Sequence, residues 1–337
     1  MKKWVFYFTI ILAMSSGLAK AHPDEDKAEG KYVHVKEALR LAAEQGDATA
    51  QNNLGEMFLY GDGVTQDTQE AVKWFRLAAQ QRHANAQFNL GLSYGNGQGV
   101  TQDFQEAVKW FRLAAEQKHA KAQFNLGLSY ANGQGVIQNF EEAIRWFRLA
   151  AEQGDTAAQY ILGGIYLDGK IVAQNYQEAV KWLHLAAKQG HAQAQFNLGV
   201  SYGNGQGVTQ NYQEAVKWFR LAAEQGHAQA QYYLGLSYAN KQGINQDYQE
   251  AVKWFRLAAK QGNATAQNSL GLSYDLGQGV IQNYVRAHMW FDLAIVNGHS
   301  DAQENRNKAA QHMTPTQIAE AQKLARDCKK SNYTNCD

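Results

Sequence analysis

Three glycines in alternation, Gly95, Gly97 and Gly99, sit in the stretch SYGNGQGVTQ from Ser93 to Gln102. Backbone N–H groups of a glycine-rich turn can cradle a phosphate, so nucleotide binding is the first chemistry to test. A dinucleotide fingerprint needs a strand before the glycines and a helix opening directly on them. Here the pattern before the loop is helical up to Tyr94, and the next helix start is read at Asp103. A Walker loop needs Gly-Lys-Ser/Thr, which the chain lacks. The same ten residues return at Ser201–Gln210, and glycines that turn one helix back on its partner explain both copies.

Histidine is the second candidate. His83, His119, His191, His227 and His299 share one register, and imidazoles are common metal ligands. Their counterparts Asp47, Asp155 and Asn263 are helix N-cap residue types, and stacked units place such positions roughly 10 Å apart, too far to share one ion. They read as exposed residues between helices, and no metal or other cofactor is expected. Neither Ser-x-x-Lys nor His-Glu-x-x-His occurs. Catalysis needs unlike groups converging on one pocket, whereas near-identical units offer a row of similar ones.

What positions all these residues is a repeat. Tryptophan falls at Trp74, Trp110, Trp146, Trp182, Trp218, Trp254 and Trp290, each step being 36 residues. Leu-Gly keeps the same step from Leu54-Gly55 to Leu270-Gly271. A period of this size predicts a solenoid in which neighbouring units complete one another's core. Each unit holds two amphipathic helical patterns. In the first, Ala86, Leu90 and Tyr94 form one stripe; in the second, Ala107, Phe111, Ala114 and Ala115 share a face opposite Lys109, Arg112 and Glu116. Asp67…Glu70, Asp103…Glu106, Asn139…Glu142, Asn175…Glu178, Asn211…Glu214 and Asp247…Glu250 predict capping boxes at the second helices, and Asn283…Arg286 departs. Glycines such as Gly154, Gly190 and Gly226 end those helices. The tryptophans read as buried between repeats rather than as stacking platforms.

The ends carry separate signals. Met1–Lys3, an apolar run from Trp4 to Leu18 and Ala19-Lys20-Ala21 form a secretory signal over residues 1–21, cut between Ala21 and His22. Residues 22–32 read as a polar linker, 33–46 as an N-terminal capping helix, 47–298 as the seven repeats, and 299–337 as C-terminal capping helices. Thr314-Pro315 marks the last helix start. In an exported chain, Cys328 and Cys336 are most simply a disulfide closing the tail. The net charge of +1 turns slightly acidic once Lys2, Lys3 and Lys20 are removed. Nothing then offers the basic surface that nucleic acid requires, and no later stretch is apolar for long enough to span a bilayer.

The spacing A-x-x-x-L-G-x-x-Y, a glycine loop, then A-x-x-W-F-x-x-A-A-x-Q-G resembles the Sel-one-like repeat family, a relative of tetratricopeptide repeats. The resemblance implies an all-α, right-handed α-solenoid whose first helices line a concave groove. It also implies an adaptor for protein contacts, in exported bacterial members tied to host-cell interaction or envelope processes. The chain reads as a monomer without enzyme activity, periplasmic, secreted or at the cell surface, that binds a protein or peptide. The alternative is an envelope enzyme or cell-wall-binding protein, β-lactamase-like or peptidoglycan-related. If the first helices line the groove, its candidate residues lie opposite the Ala-Leu-Tyr stripe. They are Asn85, Phe88, Asn89 and Leu92; Phe124, Asn125 and Leu128; Tyr160; Phe196, Asn197 and Val200; and Tyr232, Tyr233 and Leu236. Packing of Phe88 and Leu92 on the adjoining repeat is the competing reading. LDGKIVAQN at Leu167–Asn175 replaces the glycine alternation in the fourth unit, and Lys241 replaces a loop glycine in the sixth. Specificity is expected where this regularity breaks.

Overall fold

A computed structural model describes residues 37–334 and residue 336. The expected signal segment with its Ala21–His22 cleavage site, the expected linker and the first residues of the expected N-terminal capping helix lie outside the described residues. A helix over 37–44, α1, precedes the repeats. The first helices of the repeats are α2 (Ala48–Tyr60), α4 (Ala84–Asn96), α6 (Ala120–Asn132), α8 (Thr156–Asp168), α10 (Ala192–Asn204), α12 (Ala228–Ala239) and α14 (Ala264–Leu276). The second helices are α3 (Thr68–Gln80), α5 (Phe104–Glu116), α7 (Phe140–Glu152), α9 (Tyr176–Lys188), α11 (Tyr212–Glu224), α13 (Tyr248–Ala259) and α15 (Tyr284–Val296). Each helix from α2 to α15 packs on its neighbours in the chain, which makes a repeat solenoid. Two further helices, α16 (Ala302–Ala310) and α17 (Pro315–Lys330), both pack on α15 and close the C-terminal end.

Small residues decide how closely a pair packs. Leu90 and Ala86 of α4 are fully buried, and so are Ala114 and Ala115 of α5. Gly91 lies under the ring of Phe111: a Cβ there would sit 2.6 Å from a ring carbon. That contact repeats at Gly55, Gly127, Gly199, Gly235 and Gly271, with Leu183 in place of phenylalanine over Gly163. Burying one such leucine or phenylalanine stabilises the fold by roughly 1.5–3 kcal/mol.

The predicted capping boxes form only by half. Asp67 accepts hydrogen bonds from the backbone N–H groups of Gln69 and Glu70. Glu70 does not reach back, because the Asp67 N–H already donates to the Phe58 carbonyl of the preceding helix. Its carboxylate instead takes Lys73 at 2.7 Å. The same arrangement holds at Asp103, whose N–H goes to Tyr94 O while Glu106 pairs with Lys109. A reciprocal box occurs at the last helix, between Thr314 and Gln317. Cys328 and Cys336 are disulfide-bonded, and Tyr333 from the closed loop bonds Asn297 at 3.0 Å, fastening the tail to the last repeat.

The capping helix α1 and the second helices are each followed by a left-handed residue, a glycine at Gly46, Gly154, Gly190, Gly226, Gly262 and Gly298. In the first two repeats Arg82 and Lys118 hold this position at φ 63° and 64°. An L-residue there is strained, partly offset by the entropy glycine would lose on folding. Each of Arg82→Gly and Lys118→Gly should therefore add roughly 0.5–1 kcal/mol of stability, read as a raised urea midpoint.

Candidate functional site

The first-helix side carries most of the residues expected to bind. Asn85 is exposed, whereas Phe88, Asn89 and Leu92 are half-buried. Asn85, Phe88 and Asn89 line one open cleft of about 330 Å³ with Glu56 of α2 and His119 and Lys121 at the start of α6. The amide of Asn89 is engaged across the repeats, donating to Asn52 at 3.1 Å and to Glu56 at 3.0 Å. Asn125 donates to the Lys121 carbonyl at 2.8 Å, and Asn197 accepts from Gln193 at 3.2 Å.

The aromatic members divide between core and surface. Phe88 tilts onto Phe111 at 6.0 Å and stacks on His119 at 4.8 Å, so part of its ring closes the joint with the next repeat. Phe124 lies 5.8 Å from Phe147 in the same way. Leu128 and Phe196 are 9% and 8% exposed and belong to the core clusters. Tyr160, Val200, Tyr232 and Leu236 are half-buried, and burial pushes the Tyr160 and Tyr232 phenols up from their usual range. Tyr233 alone of the aromatic candidates is exposed, edge-on to Tyr232 and Phe196.

The periodic histidines differ from the sequence reading. Four of them cap helices: Nδ1 of His83, His119, His191 and His227 accepts the N–H of Ala86, Ala122, Ala194 and Ala230. All four are half-buried rather than exposed; His119, His191 and His227 stack on Phe88, Tyr160 and Phe196 of the preceding first helix, whereas Asn52 stands at that register before His83. Among the described residues no group of three or more His, Cys, Asp or Glu is arranged to hold a metal ion.

The glycine loop joins repeats as well as turning the chain. Gly97 ends α4 at φ 68°, and Gly99 follows at φ 74°. A Cβ on Gly99 would lie 2.0 Å from the carbonyl oxygen of Thr68 in the preceding repeat. Gly135, Gly207, Gly243 and Gly279 press in the same way on the carbonyls of Phe104, Tyr176, Tyr212 and Tyr248.

The fourth repeat has Ile171 at this point, and a β-branched side chain cannot take the left-handed backbone or the close approach. The joint opens instead into a pocket of about 330 Å³ lined by Phe140, Ala143, Ile144, Phe147, Ile161, Ile165 and Ile171, with Asn132 and Gln138 among its polar lining groups. Phe140 and Ile171 are 41% and 38% exposed. Ile161 and Ile165 of α8 stand where the third repeat has Asn125 and Ser129, a departure that register alone displays and that sequence reasoning missed. Nearby pairs, Lys170–Asp168 at 2.8 Å and Arg145–Glu142 at 2.9 Å, are solvent-exposed and contribute little energy.

Sequence reasoning also missed a hydrolase-like motif. Gly-x-Ser-x-Gly occurs at Gly91–Gly95 and at Gly199–Gly203. A nucleophile elbow needs that serine exposed on a strand-to-helix turn. Ser93 and Ser201 are instead buried within helices, donating to the carbonyls of Asn89 and Asn197.

The Sel1 repeat profile matches seven consecutive segments, 48–83, 84–119, 120–155, 156–191, 192–227, 228–263 and 264–299. The chain belongs to the Sel1 repeat family. Among solved structures, this Sel1 repeat chain is similar to a protective antigen of uropathogenic Escherichia coli with the SLR fold, at 35% identity and a TM-score of 0.76. That match covers 90% of the chain and 66% of the antigen, so the chain spans just under two thirds of its length. A Sel1 repeat protein from Oxalobacter formigenes is 35% identical with a TM-score of 0.60, the match covering 72% of this chain and 96% of that one. No curated protein matches the chain. Among the described residues, no helix is long and apolar enough to cross a membrane.

Proposed function

We propose that this Sel1 repeat chain is an exported, non-enzymatic scaffold that binds a protein or an extended peptide along its first-helix side. The observation that carries this reading is the apolar notch between the third and fourth repeats, where Ile171 replaces a packing glycine. A solenoid built only for its own stability gains nothing from opening one joint and lining it with Ile144, Ile161 and Ile165. An apolar side chain of a ligand fills that space, and the cleft at Asn85, Phe88 and Asn89 takes a polar stretch of the same ligand between Glu56 and Lys121.

Similarity to a protein described as a protective antigen supports an exported chain, as does the Cys328–Cys336 disulfide, which suits an oxidising compartment. Host-cell contact or envelope assembly is the setting this implies. Peptides selected from a displayed random library on the mature chain test the placement. Bound peptide should slow hydrogen exchange in α6 to α9 and at the Asn85–Asn89 cleft. Protection confined to the outer faces of the second helices contradicts it.

A further inference from the structure

We infer that the histidine N-caps make the joints between repeats acid-sensitive, so that mild acidification loosens the solenoid at the helix starts that carry them. Nδ1 of His119, His191 and His227 accepts the N–H of Ala122, Ala194 and Ala230 at 3.1, 3.2 and 3.1 Å. His83 makes the same contact to Ala86 at 3.3 Å. An imidazole that accepts at Nδ1 carries its proton on Nε2, and His227 Nε2 is 2.9 Å from Gln193 Oε1, placed to donate a hydrogen bond to that oxygen. A protonated imidazole has donors at both nitrogens. It cannot accept from the helix, and its charge faces the positive end of the helix dipole.

Three of the rings are also clamped. His119 stacks on Phe88 at 4.8 Å, His191 on Tyr160 at 4.4 Å and His227 on Phe196 at 5.0 Å. Burial holds all three imidazoles below their ordinary range, with a smaller opposing effect from each residue's own backbone. Lys121 adds to the lowering at His119, and Glu56 is the acidic group across its cleft. The groups packed on His191 and His227 are Tyr160, and Phe196 with Gln193. A folded pKa lying below the unfolded one favours the neutral ring in the fold. The stabilisation is complete above about pH 6.5 and declines as pH falls through the folded values.

The chain supplies its own controls. Asp47, Asp155 and Asn263 cap the corresponding helices at Ala50, Ala158 and Ala266 without an imidazole. Amide exchange, normalised to the intrinsic rate at each pH, is measured at about pH 7.5 and about pH 5. Acidification should speed exchange at Ala122, Ala194 and Ala230 about 5-fold or more, the equivalent of one lost cap, and leave Ala266 unchanged. His191→Asn, which installs the residue type of Asn263, should abolish the response at Ala194 while Ala122 and Ala230 keep it. Equal acid responses at Ala194 and Ala266, or an undiminished response at Ala194 in His191→Asn, would overturn the inference.

Discussion

Gly99→Ala is expected to cost about 3 kcal/mol, one of the largest effects of any single methyl group in the chain. The new Cβ would meet the Thr68 carbonyl oxygen at 2.0 Å, and its φ of 74° is a conformation that alanine adopts only with strain. Backbone cannot swing aside as a flexible side chain can, so the joint between the first two repeats must part. Gly95, two residues earlier, supplies the contrast. It lies inside α4, and a Cβ there meets only the Ala107 methyl at an ordinary 3.7 Å. Gly95→Ala should stabilise by roughly 0.5–1 kcal/mol through helix propensity. Urea unfolding of the two variants separates the joint from the turn, and equal effects would show that Gly99 makes no inter-repeat contact that matters.

The second large effect is expected at Gln123. Its amide is 3% exposed and donates to the Ala115 carbonyl at 3.1 Å, while its oxygen accepts from Gln153 at 2.6 Å. Every repeat has this pair of bonds. Gln51, Gln87, Gln159, Gln195, Gln231 and Gln267 are buried alike, each bonded to the carbonyl eight residues before it. Gln123→Leu keeps the volume but removes two hydrogen bonds, leaving the Ala115 carbonyl with the Lys118 N–H alone and the Gln153 amide with only the Leu149 carbonyl, at a cost of about 1–3 kcal/mol. Gln138→Leu removes an exposed bond to the Ala131 carbonyl and should cost about 1 kcal/mol or less. Thermal or urea denaturation distinguishes the two, and similar losses would mean that burial of the Gln123 pair adds nothing.

The fold was readable because its signals are periodic. Tryptophan and Leu-Gly spacing gave the helix pairs, and Asp103, Asn139 and Thr314 marked helix starts that the structure retains as caps. The glutamine bonds were not readable, since a glutamine in an alanine-rich helix is ordinarily a solvated residue. Only the meeting of a first helix with the helix before it buries that amide. The histidines were misjudged for a related reason: their N-cap register was visible, but not the aromatic ring that covers them. Departures from the repeat were legible as departures, yet their consequence was not. Ile171 read as a lost glycine, whereas the structure turns that loss, with Ile161 and Ile165, into a lined pocket.

That pocket is where the proposed binding role is most exposed to test. Ile161→Asn with Ile171→Gly returns the fourth repeat to the residues that its neighbours Asn125 and Gly135 occupy, so the variant is expected to fold. Isothermal titration of library-selected peptides against the native and regularised chains is the decisive measurement. An apolar anchor lost from a closed notch should weaken binding about 10-fold or more, with thermal stability unchanged or raised. Equal affinity of the two chains for those peptides would contradict a scaffold that recognises its ligand through the joint between the third and fourth repeats.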